Sequence, residues 1–195
     1  DHSDERALHR IGSCLSDGGS VALVSDAGTP LISDPGYRLV RHAQDRGFAV
    51  RPVPGACAAI AALSVSGVPT DRFLFEGFLP ARDGARLNRL NALASEPVTL
   101  IFYEAPHRID ASLQSMIKAF GETREAVLAR EITKLFETIK RGSLAELSQF
   151  VSDDSNQQRG EIVVIVAGKP KGEQELDADV SALLLRLSQE LPAKR

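Results

Sequence analysis

Val21-Ala22-Leu23-Val24-Ser25-Asp26-Ala27-Gly28-Thr29-Pro30-Leu31-Ile32-Ser33-Asp34-Pro35-Gly36 is the stretch on which the fold turns. Its first four residues are apolar and read as a fully buried strand. The residues after them are small, polar, Gly or Pro, and the amphipathic segment Tyr37 to Arg46 that follows reads as a helix. Open α/β sheets place their ligands in such loops, at the end of a buried parallel strand. Gly28 permits a backbone angle or a close approach that a side chain would forbid. Pro30 and Pro35 stiffen the loop. Asp34 is expected to cap the next helix, with Pro35 in its first turn. Asp26 stands just past the strand, placed to accept from a hydroxyl, amine or ammonium.

Outward from this stretch, residues 4 to 17 carry Leu8, Ile11 and Leu15 at helical spacing and stop at Gly18-Gly19. On the other side, Phe48 to Val53 reads as a second short strand. Pro54-Gly55 then turns the chain into a helix whose first residues, Ala56, Cys57, Ala58 and Ala59, are all small. Small side chains let a helix N-terminus approach a ligand with its N–H groups open. Residues 1 to 70 therefore read as an α/β unit with a parallel sheet. It opens on a helix, so its first strand is expected to be missing.

Ser66 to Asp71 reads as a linker, and the pattern then changes. Strands are expected over Phe73 to Leu79, with Phe73, Phe75 and Gly77 on one face, and over Val98 to Tyr103, Ala126 to Ala129, Phe136 to Lys140 and Glu161 to Val166. A short basic helix carries Leu87, Leu90 and Leu93. Pro106 opens a helix with Ile109, Leu113, Met116, Ile117 and Phe120 on one face and Gly121 at its end. Ser143 and Glu146 form a capping box ahead of Leu147 and Phe150. Strands with few helices between them suggest a mixed or antiparallel α+β unit over 71 to 168. Residues 169 to 195 read as a linker and the start of a helical tail, with Val180, Leu183, Leu184, Leu187 and Leu191 on one face.

Composition narrows the function. The 195 residues are 43% hydrophobic, enough for a real core, and no apolar run is long enough to span a membrane. The start, Asp1-His2-Ser3-Asp4-Glu5-Arg6, is not a signal peptide. Cys14 and Cys57 lie in apolar, helix-like contexts and read as thiols in a reducing compartment, so the protein is expected in the cytoplasm. The four histidines are scattered, with no metal-ligand spacing. A net charge of −3 argues against indiscriminate nucleic-acid binding but leaves room for a local basic patch. Four loops follow buried strands: Ser25 to Gly36, Pro54 to Ala58, Tyr103 to Arg108, and Arg130-Glu131-Ile132-Thr133-Lys134. The last is dense in cations, a carboxylate and a hydroxyl.

Those loops resemble the motifs of the ribosomal RNA small subunit methyltransferase I family, within the tetrapyrrole-methylase-like class. The resemblance rests on residues 21 to 37, Val53-Pro54-Gly55-Ala56, Phe75-Glu76-Gly77-Phe78-Leu79-Pro80, Phe102-Tyr103-Glu104-Ala105-Pro106-His107-Arg108 and Arg130 to Lys134. It covers about residues 5 to 168, with the motifs in order. It implies a two-domain α/β fold with the cofactor in a cleft between a parallel-sheet N-terminal domain and a mixed α+β C-terminal domain. The family has a further strand and loop ahead of the first helix and continues past the last residue here, so the chain is expected to be truncated at both ends.

The resemblance implies transfer of a methyl group from S-adenosylmethionine to a cytidine ribose 2′-hydroxyl of 16S rRNA in the small ribosomal subunit, by a homodimer. Cofactor contacts would come from Asp26, Ala27, Gly28, Thr29, Ala56, Cys57, Ala58, Tyr103, Glu104, Ile132 and Thr133. A sulfonium methyl needs only an in-line nucleophile, so no metal is required. A ribose hydroxyl is a weak nucleophile, and Glu104, Glu131 and Lys134 are candidates to handle its proton. Arg82, Arg86, Arg89, Arg108 and Arg130 could contact phosphates. Two alternatives stand beside this. One is a methylase of a small tetrapyrrole-like substrate, whose corresponding loop carries a Gly-Asp-Pro then Phe-Gly-Arg-Gly type of sequence. The other is a non-catalytic dimerising fragment.

Overall fold

The computed structural model describes residues 2–170, with side chains from residue 5. The expected helix around Val180 to Leu191 lies outside the described residues. In chain order the elements are α1 (His2–Ser16), α2 (Tyr37–Asp45), α3 (Ala58–Ser66), β1 (Phe73–Phe78), α4 (Asp83–Leu93), β2 (Thr99–Glu104), α5 (Ile109–Phe120), β3 (Glu125–Arg130), β4 (Thr138–Ser143), α6 (Leu144–Asp153) and β5 (Ile162–Val166). Single 3₁₀ turns at Pro106–Arg108 and Ser155–Gln158 lead into α5 and toward β5.

The five strands form one sheet in the order β1-β2-β5-β3-β4. β1 runs parallel to β2, and β5 is antiparallel to both β2 and β3. The mixed α/β sheet expected for the second half is present. It carries apolar side chains on both faces, because β2, β3 and β5 are almost wholly buried. On one face Leu100, Phe102, Leu128 and Val164 pack against Leu90 of α4, Leu113 and Met116 of α5 and Leu147 of α6. On the other, Ile101, Val127, Val163 and Ile165 meet Ala59, Ala62 and Leu63 of α3. Residues one apart point to opposite faces, which separates the two sets. α3 is apolar except for Ser64 and Ser66. Its inner face is buried, while Ile60 and Val65 on its outer face stay half exposed.

Several expectations change. Val21 to Val24 and Phe48 to Val53 join no sheet among the described residues, and Val24 and Val53 are 80% and 89% exposed. A strand exists through its ladder; without a neighbour its N–H and C=O groups turn to water whatever its side chains prefer. The parallel N-terminal sheet is therefore not formed among the described residues. Asp34 does not cap α2: Gly36 does, at φ 136°, wedged against Leu23 and Leu31, and no side chain caps this end. A bulge between Phe75 and Gly77 breaks the alternation expected in β1 and brings Phe78 to the same side as Phe75. β4 starts at Thr138, because Phe136 and Glu137 are held in the preceding turn.

The capping box is present. Ser143 Oγ accepts from the Glu146 N–H at 3.2 Å, and Glu146 Oε2 accepts from the Ser143 N–H at 2.7 Å. Replacing Ser143 by alanine is expected to cost about 1 kcal/mol, read from the urea midpoint.

Candidate active site

The C-terminal ends of β1, β2 and β3 lie at one end of the sheet, and the four loops singled out in the sequence meet there. The contacts are specific. Thr29 Oγ1 donates to the Ala56 carbonyl at 2.9 Å, joining the first loop to the second. Gly28, at φ +76°, lies where a Cβ would stand 3.7 Å from the same carbonyl. The Ala59 N–H in the first turn of α3 donates to Tyr103 Oη at 3.2 Å, joining the second loop to the end of β2. Ile132, like Cys57, Phe75 and Tyr103, packs against the buried cluster on the α3 face of the sheet, which brings in the fourth loop. Ser33 Oγ reaches Gly77, where an added Cβ would stand only 2.8 Å away, so the first loop also closes on β1.

Tyr103 sits at the centre. Phe75 and Phe78 meet its ring edge-on at centroid distances of 4.9 and 5.7 Å. Burial raises its phenol pKa above the ordinary value, so it stays protonated. The start of α3 has no side-chain cap: Cys57 precedes it in extended conformation. The first-turn N–H groups other than that of Ala59 are thus open donors among small side chains. Asp26, Ala27, Gly28, Ala56 and Ala58 are exposed around this opening, with Thr29 and Cys57 half-buried.

Backbone strain is concentrated here too. Among the described residues, Leu31, Ser33, Glu131 and Thr133 have positive φ without being glycine, and all four lie in the first and fourth loops. Such angles persist only where surrounding contacts enforce them, and they cluster at ligand sites.

The three proton-handling candidates are not equivalent. Glu104 points to the other face, toward α5, and is 2% exposed. It accepts from Ser112 Oγ at 2.5 Å and from the Ala105 N–H at 2.8 Å, and pairs with Arg108 at 2.8 Å. Those bonds leave it no free path to the opening. Glu131 and Lys134 pair with each other at 2.8 Å. The hydrogen bond from Lys134 holds the Glu131 carboxyl below its ordinary range, and the same bond raises the Lys134 ammonium. Both are charged at neutral pH, so neither is a strong base.

The arginines also divide. Arg86 is 2% exposed and donates to Ser115, the Ala81 carbonyl and Asp83. Arg130 is 7% exposed and donates to Gln157 Oε1, the Phe136 carbonyl and Thr138 Oγ1. Buried and bonded in this way, neither offers a surface for a phosphate, which corrects the sequence reading. Arg108 is mostly buried, donating to the Leu79 carbonyl while paired with Glu104. Arg82 and Arg89 remain at the surface, Arg89 in a two-pronged bond to Glu76. Sequence reasoning named Phe75 and Ser33 only as members of longer motifs, and it missed Gln157 and Gly160. Of those two, Gly160, between a polar loop and a strand, carried a local signal.

Among the described residues no cluster of His, Cys, Asp or Glu could hold a metal ion, and no helix is long and apolar enough to cross a membrane.

Comparison with known proteins gives a consistent result. The family profile described as Tetrapyrrole (Corrin/Porphyrin) Methylases matches residues 2–148. A Pseudomonas aeruginosa protein named ribosomal RNA small subunit methyltransferase I is 56% identical over 100% of this chain and 70% of its own length. Its namesake in Escherichia coli O157:H7 is 48% identical over 100% of this chain and 68% of its own. Among solved structures, a diphthine synthase superposes with TM-score 0.63 at 18% identity, over 86% of this chain and 65% of that one. A cobalt precorrin-4 methyltransferase gives 0.62 at 17%, over 84% and 70%. At those identities the solved structures share the fold alone.

Proposed function

The chain belongs to the tetrapyrrole methylase family, in the group of the ribosomal RNA small subunit methyltransferase I proteins, and from that premise we propose that it methylates the ribose 2′-hydroxyl of a cytidine in 16S rRNA, using S-adenosylmethionine. The observation that carries the reading is the meeting of four loops around Tyr103 and the open start of α3. Their make-up fits the cofactor. Apolar Ile132 and Phe75 offer a wall for adenine, and backbone groups of Gly28, Thr29, Ala56 and Ala58 offer donors and acceptors for ribose and the methionyl end. When bound, S-adenosylmethionine supplies a methyl group on a sulfonium centre. The chain's own part is positioning and electrostatics. Tyr103 fixes the first turn of α3, and the closed first loop fixes the approach from β1. Of the five arginines named from the sequence, Arg82 stands at the surface for phosphates, and Arg89 would have to leave Glu76 to join it. The homodimer and the cytoplasm belong to the same reading; exposed Ile60 and Val65 on the outer face of α3 support an apolar contact between copies.

Incubating the protein with labelled S-adenosylmethionine and unmodified small ribosomal subunits tests this. The expected product is labelled 16S rRNA carrying one alkali-resistant linkage, because a 2′-O-methyl group removes the nucleophile that alkaline cleavage needs. Label on a base, or only on a small tetrapyrrole supplied in place of RNA, would overturn the assignment.

A further inference from the structure

The fourth loop is held by more contacts than a surface turn needs. Glu131 Oε1 accepts from Lys134 Nζ at 2.8 Å and from the Glu161 N–H at 2.9 Å. Lys134 Nζ also donates to Glu161 Oε2 at 3.0 Å. The Glu131 N–H donates to the Glu161 carbonyl at 2.9 Å, so this residue is tied to the start of β5 by backbone and side chain together. The Thr133 N–H donates to Glu137 Oε2 at 2.6 Å. Gly160 makes room for the arrangement: a Cβ there would collide with the Glu131 carboxylate. Beneath the loop, Arg130 bonds the Phe136 carbonyl and is itself held by Gln157. Between these ties Glu131 and Thr133 keep φ of +52° and +67°, angles an untied loop would abandon. Ile132, between them, packs against the same buried cluster as Cys57 and Tyr103.

We propose that Glu131, Lys134 and Glu161, with Gly160 as the space they require, form a latch that holds the loop in the shape presenting Ile132 and Thr133 to the cofactor. Glu131 and Lys134 are then positioning residues and carry no proton in the reaction. Their mutual stabilisation of the charged forms agrees with this. The inference rests on the cofactor reading above but can fail separately from it.

The test uses a readout independent of the cofactor. Leu135 and Phe136 are 90% and 67% exposed in the latched loop, and chymotrypsin cleaves after such residues. Glu131→Ala, Gly160→Ala and Lys134→Ala are compared with Glu131→Gln, whose amide oxygen can still accept from both donors. In the first three, native-state cleavage at this loop is expected to rise about tenfold, with a similar weakening of S-adenosylhomocysteine binding by calorimetry. Their kcat at saturating S-adenosylmethionine should stay within about threefold, the loss appearing in KM. Glu131→Gln should restore both affinity and protection. Lys134→Ala covers the case in which Gly160→Ala fails to fold, since Gly160 itself has positive φ. Unchanged cleavage in Glu131→Ala and Lys134→Ala overturns the latch. A roughly hundredfold fall in kcat for Glu131→Gln with unchanged affinity makes Glu131 a proton carrier and overturns the positioning role. A wild-type chain that resists cleavage yet binds no S-adenosylhomocysteine overturns the cofactor reading, and with it the positioning role.

Discussion

Replacing Glu104 by alanine is expected to destabilise the fold by about 3 kcal/mol, whether or not cofactor or RNA is present. The carboxylate side chain is fully buried, and its partner Arg108 is only 20% exposed. Its removal strands a guanidinium whose Nε already has no hydrogen-bond partner, and it takes the acceptor from Ser112 and from the Ala105 N–H. Stranding one member of a buried pair costs far more than the pair itself contributes. The Arg141–Glu125 pair is the control, because both side chains are exposed, at 57% and 42%. Arg141→Ala should cost under about 1 kcal/mol. Urea unfolding of the two variants against wild type measures both values. Equal, small losses would show that Glu104 is not the anchor described here and would return it to the list of groups free to handle a proton.

The second large effect is at Arg130. Arg130→Ala should also cost about 3 kcal/mol, because the Phe136 carbonyl, Gln157 Oε1 and Thr138 Oγ1 lose a charged donor together. Arg130→Lys should recover little of this, since one ammonium cannot reach three acceptors arranged around a planar fork. A lysine variant as stable as wild type would contradict that geometry.

These two residues also show where sequence reading stops. α5 was legible because Ile109, Leu113, Met116 and Phe120 recur every three or four residues and Gly121 ends the run. The capping box was legible for the same local reason. Arg130 looked like a surface cation because its partner Gln157 is 27 residues away, and Arg86 because Ser115 is 29 away. Only the folded chain shows that such charges are buried and satisfied. Glu104 was found as a special residue, but which face of β2 it occupies depends on how the sheet is covered. Val21 to Val24 has the right composition for a strand, yet strand formation needs a neighbour that composition does not supply. The four loops were legible as a group because each combines a buried run with Gly, Pro or charge, and the contacts that bring them together run through residues named from sequence: Thr29, Tyr103 and Ile132.

The central claim is that these four loops form a cofactor cleft in this chain. Calorimetric titration of the 195-residue chain with S-adenosylhomocysteine, its fold checked by circular dichroism in the same buffer, tests it most directly. Saturable binding at one site per chain is the predicted result. A folded chain that gives no binding heat at any temperature tried would contradict it.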